Sequence, residues 1–142
     1  MADTDTRVPA QTRPTPVGGL ARWGRIAFVS VTGLLLAAIA LQVFLAGMSI
    51  FAGATWWQVH MLTGSLIEIL PLLLIGLAFV GRLPRAYPLV SVLLLGQVFL
   101  QYAFIEIGTN AGAPWLAALH PVNALALFLV GLLLLQKAWR TL

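Results

Sequence analysis

Four long apolar runs, separated by short polar stretches, make up most of the chain. They predict helices at about 26–47, 56–80, 87–107 and 115–138. At 1.5 Å per residue, each run is long enough to cross a hydrocarbon core of about 30 Å. Residues 1–23 are polar and rich in Thr and Pro, which predicts a disordered cytoplasmic tail before one membrane domain, 24–142. We expect an all-α integral membrane protein folded as a four-helix up-down bundle.

Composition and charge support a membrane location and set an orientation. Hydrophobic residues make up 61% of the chain and charged residues only 8%, whereas soluble domains carry about 25% charged residues. The basic residues all fall on one side of the predicted bundle: Arg7, Arg13, Arg22, Arg25, Arg82, Arg85, Lys137 and Arg140. The positive-inside rule therefore predicts that both termini are cytoplasmic, in a bacterial inner membrane. Because these residues form no continuous stripe, we expect a lipid bilayer as partner and no nucleic acid.

The two histidines are the candidate chemical groups of the chain. His60 lies near the start of the second predicted helix and His120 near the start of the fourth. These helices run in the same direction and are diagonal in an up-down bundle, so the imidazoles should face each other at one depth. Ionisable groups inside a membrane are costly and usually functional. Since neutral imidazole is a good iron ligand, the pair predicts a heme b site, and the absence of cysteine excludes covalent c-type attachment.

Neighbouring residues extend this hypothetical site. Gly64 and Ala124, four positions after the histidines, are small enough for the edge of a macrocycle to lie against the backbone. The same helix faces carry Ile67, Pro71 and Ala78 beyond Gly64, and Leu127, Gly131 and Ala138 beyond Ala124. Amide side chains that could accept the second ring N–H are Gln42, Gln101 and Asn123. Pro121 predicts that His120 lies at a kink or at the true start of the fourth helix.

Glu68 is a second costly residue, because no basic residue lies at its depth in the predicted second helix. We expect its carboxyl group to be protonated or bonded to an amide such as Gln97. It could relay protons, contact a quinone or a heme substituent, or join helices as a hydrogen-bonding group. Glu106, at the outer end of the third helix, is expected to be solvated. Five tryptophans near helix ends are expected to anchor the helices at the membrane interface: Trp23, Trp56, Trp57, Trp115 and Trp139.

The four helices form two hairpins, each with a histidine near the start of its second helix, which suggests an internal duplication. The segment Leu119-His120-Pro121-Val122-Asn123-Ala124 resembles the histidine-containing helix start of heme A synthases. The hairpin pattern also resembles, more loosely, small cytochromes of the b561 kind. The resemblance implies that His60 and His120 are axial heme ligands. A full synthase has twice the helices and a second histidine pair, so synthase activity is not expected of this chain.

The sequence thus favours a small b-type heme protein that transfers electrons within the membrane or serves as a subunit of a larger redox complex. A redox partner and a homo-oligomeric state are compatible with this function, and quinone is a second candidate ligand. The first alternative is a cofactor-free scaffold or assembly subunit whose polar residues join helices. The second is a small proton-coupled transporter centred on Glu68.

Overall fold

A computed structural model describes residues 18–142, and every regular element in this range is a helix. The elements are α1 (Gly19–Phe51), α2 (Thr55–Ile67), α3 (Ile69–Val80), α4 (Ala86–Asn110), α5 (Pro114–Ala117) and α6 (Leu119–Trp139). Within the described range, four helical stretches are long and apolar enough to cross a membrane: α1, α2 with α3, α4, and α5 with α6. We call these stretches spans 1 to 4. The predicted tail lies mostly outside the described residues, and span 1 begins at Gly19 rather than Ile26.

Spans 2 and 4 are each interrupted three residues before a proline. The break in span 2 is at Glu68, and Pro71 is the third residue of α3; the break in span 4 is at Ala118, and Pro121 is the third residue of α6. Proline cannot donate to the carbonyl four residues earlier, so the helical ladder loses one bond at each place. His120 is the second residue of α6 and follows this break, in agreement with the helix irregularity that Pro121 predicted.

The spans pack around a ring in chain order. Span 1 packs against spans 2 and 4, and span 3 packs against the same two neighbours. Spans 2 and 4 are therefore diagonal, as the up-down bundle predicted. The prediction that the histidine-bearing faces of spans 2 and 4 point into the bundle is also confirmed. Pro71 and Ala78 of span 2 and Gly131 of span 4 are buried.

We call the end that carries the described basic residues the basic end, and the opposite end the histidine end. Large side chains fill the half of the bundle toward the basic end: Phe28 and Leu35 of α1, Leu74 of α3 and Leu94 of α4 are fully buried. By contrast, α2 and α5, at the histidine end, contain no buried residue, and the buried residues that α1 and α4 contribute to this end are Leu45 and Gly108. The bundle is therefore closely packed at one end and loosely packed at the other.

Close backbone contact and one arginine hold the basic end together. A Cβ added at Gly24 would lie 2.6 Å from the nitrogen of Gly81, so α1 and the end of α3 meet without side chains between them. Arg25 donates from Nε to the carbonyl of Gly81 at 3.0 Å and from Nη1 to the carbonyl of Thr141 at 3.1 Å. The guanidinium thus satisfies terminal carbonyls that spans 2 and 4 leave without helical partners.

The ends of spans 2 and 3 have the same backbone geometry. In each, the residue after the cap has a positive φ, 49° at Arg82 and 61° at Gly112. The N–H of Leu83 donates to the carbonyl of Ala78, and that of Ala113 donates to the carbonyl of Gly108. This is the Schellman arrangement, which glycine adopts without a steric cost and arginine does not.

The close contact at Gly24 predicts that a larger residue at this position destabilises the bundle. Replacing Gly24 with Ala should lower the free energy of unfolding by about 1–3 kcal/mol, because the new methyl group must displace the backbone of α3. Denaturation by SDS, followed by circular dichroism, measures this change. The matched control is Gly33→Ala in the same helix, where an added Cβ meets nothing within 4 Å. Equal stability of the two variants would show that the backbones do not meet at Gly24.

Candidate functional site

A cavity of about 550 Å³ occupies the middle of the bundle at the histidine end. Residues of all four spans line it. Its volume lies within the range of about 300–1,000 Å³ that is usual for cofactor and small-molecule sites. The lining residues include both histidines.

The cavity is layered. Counted from the helix termini at the histidine end, the deepest layer lies about 18 Å down and contains one apolar residue from each span: Ile39, Ile67, Val98 and Leu127. A polar layer above it contains Gln42 and Gln101. The histidines lie in a third layer, about 8 Å below the helix ends. The floor of the cavity is thus apolar, and the polar groups of the cavity lie toward the histidine end.

His60 and His120 face each other across this cavity. Their ring centroids are 6.2 Å apart and their planes are inclined by 65°. The predicted equal depth and diagonal approach of the two imidazoles are therefore present in the structure. Both side chains are half-buried.

Nδ1 of each imidazole lies beside a backbone carbonyl of the preceding span. Nδ1 of His60 lies 3.1 Å from the carbonyl oxygen of Gln42, and Nδ1 of His120 lies 3.2 Å from that of Gln101. In the tautomer that carries its proton on Nδ1, each ring donates to this carbonyl oxygen, because a carbonyl oxygen can only accept. Each Nε2 then keeps a lone pair that can bind a metal ion, and the carbonyl orients the ring behind it.

The side-chain amides of Gln42 and Gln101, which were predicted as partners of the imidazoles, also lie beside them: the amide nitrogen is 2.9 Å from Nδ1 of His60 and 3.2 Å from Nδ1 of His120. The side chains of Gln42 and Gln101 lie against the helix turns that follow the histidines. With its amide oriented to satisfy both groups, Gln42 donates to the carbonyl of His60 at 3.0 Å and accepts from the N–H of Gly64 at 3.0 Å. Gln101 donates in the same way to the carbonyl of His120 at 2.7 Å and accepts from the N–H of Ala124 at 3.1 Å.

Gly64 and Ala124 line the cavity and also leave room for these amides. A Cβ at Gly64 would lie 3.5 Å from the nearest atom of the Gln42 amide. The two hairpins therefore share one contact pattern: a glutamine of the first helix holds the histidine turn of the second through backbone groups. This common geometry agrees with the predicted hairpin repeat, although the proline breaks of spans 2 and 4 lie at different depths.

Asn123 and Glu68 lie outside the cavity lining. Asn123 donates to the carbonyl of Gln97 at 2.8 Å and joins span 4 to span 3. Glu68 is half-buried at the break between α2 and α3. The proposed bond between Glu68 and Gln97 is absent from the hydrogen bonds of residues 18–142, and Oε1 of Gln97 is buried without a partner there.

Among the cavity residues that were not predicted as part of the site, three are aromatic or charged: Trp57, Tyr102 and Glu106. Trp57 stacks on His60 with ring centroids 4.9 Å apart and planes inclined by 12°, although its position suggested only an interface anchor. The spacing of three residues between them was the available signal, since such residues are neighbours on a helix. Tyr102 and Glu106, four residues apart on α4, line the outer part of the cavity.

Comparison with known proteins gives one family match. Residues 42–110 are similar to a family of unknown function, DUF6220. This stretch begins at the glutamine that holds His60 and ends with α4, so it includes His60 but not His120. No curated protein and no solved structure matches the chain significantly. The resemblance to heme A synthases and b561 cytochromes stays a prediction.

The two glutamine contacts should be important for stability. Replacing Gln101 with Leu should lower the free energy of unfolding by about 1–2 kcal/mol, because hydrogen bonds between membrane helices have this strength. The same substitution at Gln58, an exposed glutamine of α2, is the control. Unfolding in SDS compares the two variants, and no difference between them would contradict a structural role for the Gln101 amide.

Proposed function

We propose that the chain is a b-type heme protein of a bacterial inner membrane, with His60 and His120 as the axial ligands. The observation that carries this proposal is the pair of imidazole rings that line the cavity with centroids 6.2 Å apart. A bond from imidazole nitrogen to a first-row metal is about 2.0–2.1 Å long, which puts two rings on opposite sides of one ion with centroids about 6 Å apart. The separation of 6.2 Å fits this value.

The surroundings of the pair also suit a planar hydrophobic group. The floor of the cavity is apolar, Trp57 stacks on one ligand, and the carbonyls of Gln42 and Gln101 hold both rings in place. A bound heme would supply one-electron oxidation and reduction. The residues of the chain would bind and orient it and exclude water from its lower edge. We infer a role in electron transfer within the membrane, with a redox partner or as a subunit of a larger complex.

The second candidate is a cofactor-free scaffold. It is favoured by the hydrogen bonds that each imidazole and each glutamine amide already makes between spans, which would join helices without any ligand. The ring of a quinone could also lie in this cavity. A transporter centred on Glu68 gains no support from the geometry, because Glu68 does not line the cavity.

Titration of the purified protein with hemin separates the first two candidates. We expect a sharp low-spin spectrum at one heme per chain. His60→Ala and His120→Ala should each weaken binding by more than about tenfold, which corresponds to about 1.4 kcal/mol. Added imidazole should restore the low-spin bands by occupying the vacated position. Gln58→Ala, on the exposed face of α2, is the control.

Failure of the folded wild-type protein to bind hemin would leave the scaffold as the better account. Binding that persists at full strength in both histidine variants would also contradict the proposed ligands.

The proposed orientation, with both termini cytoplasmic, is testable because the chain contains no cysteine. A cysteine introduced at Ala111, between α4 and α5, should react with a membrane-impermeant maleimide in intact spheroplasts. A cysteine at Arg85, between α3 and α4, should react only after permeabilisation. The positive-inside rule is the reason for this expectation, and the reverse labelling pattern would overturn it.

A further inference from the structure

We propose that Glu106 determines how the site treats anionic substituents of its ligand: heme binds with both propionates at the outer mouth of the cavity, beside this carboxylate. The inference rests on the proposed function and adds the orientation of the ligand and a residue that controls specificity. It also implies that the chain binds a porphyrin whose carboxylates are blocked with higher affinity than the same porphyrin with free carboxylates.

The first step is that the propionates cannot point inward. The floor of the cavity is formed by Ile39, Ile67, Val98 and Leu127, and no cation lines any part of it. A carboxylate buried there would lose its hydration without gaining a partner, which costs several kcal/mol. The propionates must therefore point to the outer end, where the iron position lies only about 8 Å below the helix ends.

The second step is that no basic side chain among residues 18–142 lies at that end to pair with the propionates. Within residues 18–142 the basic side chains belong to the basic end: Arg22, Arg25, Arg82, Arg85, Lys137 and Arg140. Pairing of propionates with arginine or lysine, the usual way to stabilise such groups in a protein, is absent from this cavity.

The third step is the position of Glu106 itself. Its side chain is exposed and also lines the cavity, and Oε1 accepts a hydrogen bond from Nδ2 of Asn110 at 2.6 Å. This bond holds a negative charge at the mouth, where the propionates of a bound heme would lie. Because the mouth is open to solvent, the repulsion should be modest and sensitive to salt.

The experiment combines a charge change in the protein with one in the ligand. Hemin and its dimethyl ester, which lacks the two negative charges, are each titrated into wild type, Glu106→Gln and Glu106→Arg. The glutamine variant keeps the oxygen that accepts from Asn110. We expect hemin affinity to rise by about two- to fivefold in Glu106→Gln and further in Glu106→Arg, as for one exposed charge pair. The affinity for the ester should stay constant.

Two controls make the result specific. Arg140→Gln changes the net charge by one unit at the basic end and should leave the ratio of the two affinities unchanged. High salt should reduce the effect of Glu106 substitutions on hemin.

The outcomes distinguish the two proposals. If neither porphyrin binds the wild type, the proposed function fails. If both bind and the affinity ratio is the same in all Glu106 variants, heme binding stands and the role of Glu106 is overturned. A parallel change in the affinities for hemin and ester would also overturn it, since a structural effect does not depend on the charge of the ligand.

Discussion

Each imidazole is held from behind by a backbone carbonyl of the preceding span, and the candidate site depends on this interaction. Nδ1 of His60 and Nδ1 of His120 lie 3.1 and 3.2 Å from these carbonyl oxygens, and a ring that donates from Nδ1 keeps its lone pair on Nε2. In a bilayer the bond has a second role, because buried polar groups there must find partners within the protein. One contact thus satisfies the ring, orients it and leaves its other nitrogen available toward the cavity.

The bundle is closed at the basic end, opposite the cavity. Gly24 brings α1 onto the end of α3, and Arg25 joins the ends of spans 2 and 4 through two carbonyls. At the histidine end, span 2 and span 4 instead carry small residues on their inward faces, and glutamine side chains rather than large apolar ones fill the next layer. The difference between the two ends therefore follows from where arginine and glutamine occur in the chain, since close glycine contacts exist at both ends, at Gly24 and at Gly108.

Much of this arrangement could be predicted from the sequence. Hydrophobic length identified the four spans, and helical periodicity identified the inward faces of spans 2 and 4, because both signals arise from the chain locally. The acceptors of the imidazole protons could not be predicted, since backbone carbonyls have no sequence signature. The stacking of Trp57 on His60 and the position of Glu106 at the cavity were missed because both residues also suit an interfacial position. The bounds of span 1 differed because polar residues near Gly19 can continue a helix beyond the membrane.

The most direct test of the account is the heme content of the protein purified in mild detergent from heme-replete cells. A pyridine hemochrome assay gives the amount and type of heme, and amino-acid analysis gives the amount of chain. The account predicts one heme b per chain, with the reduced-minus-oxidised bands of a low-spin bis-histidine centre. A colourless, fully folded protein would contradict it, and the opposed histidines would then be hydrogen-bonding residues between helices.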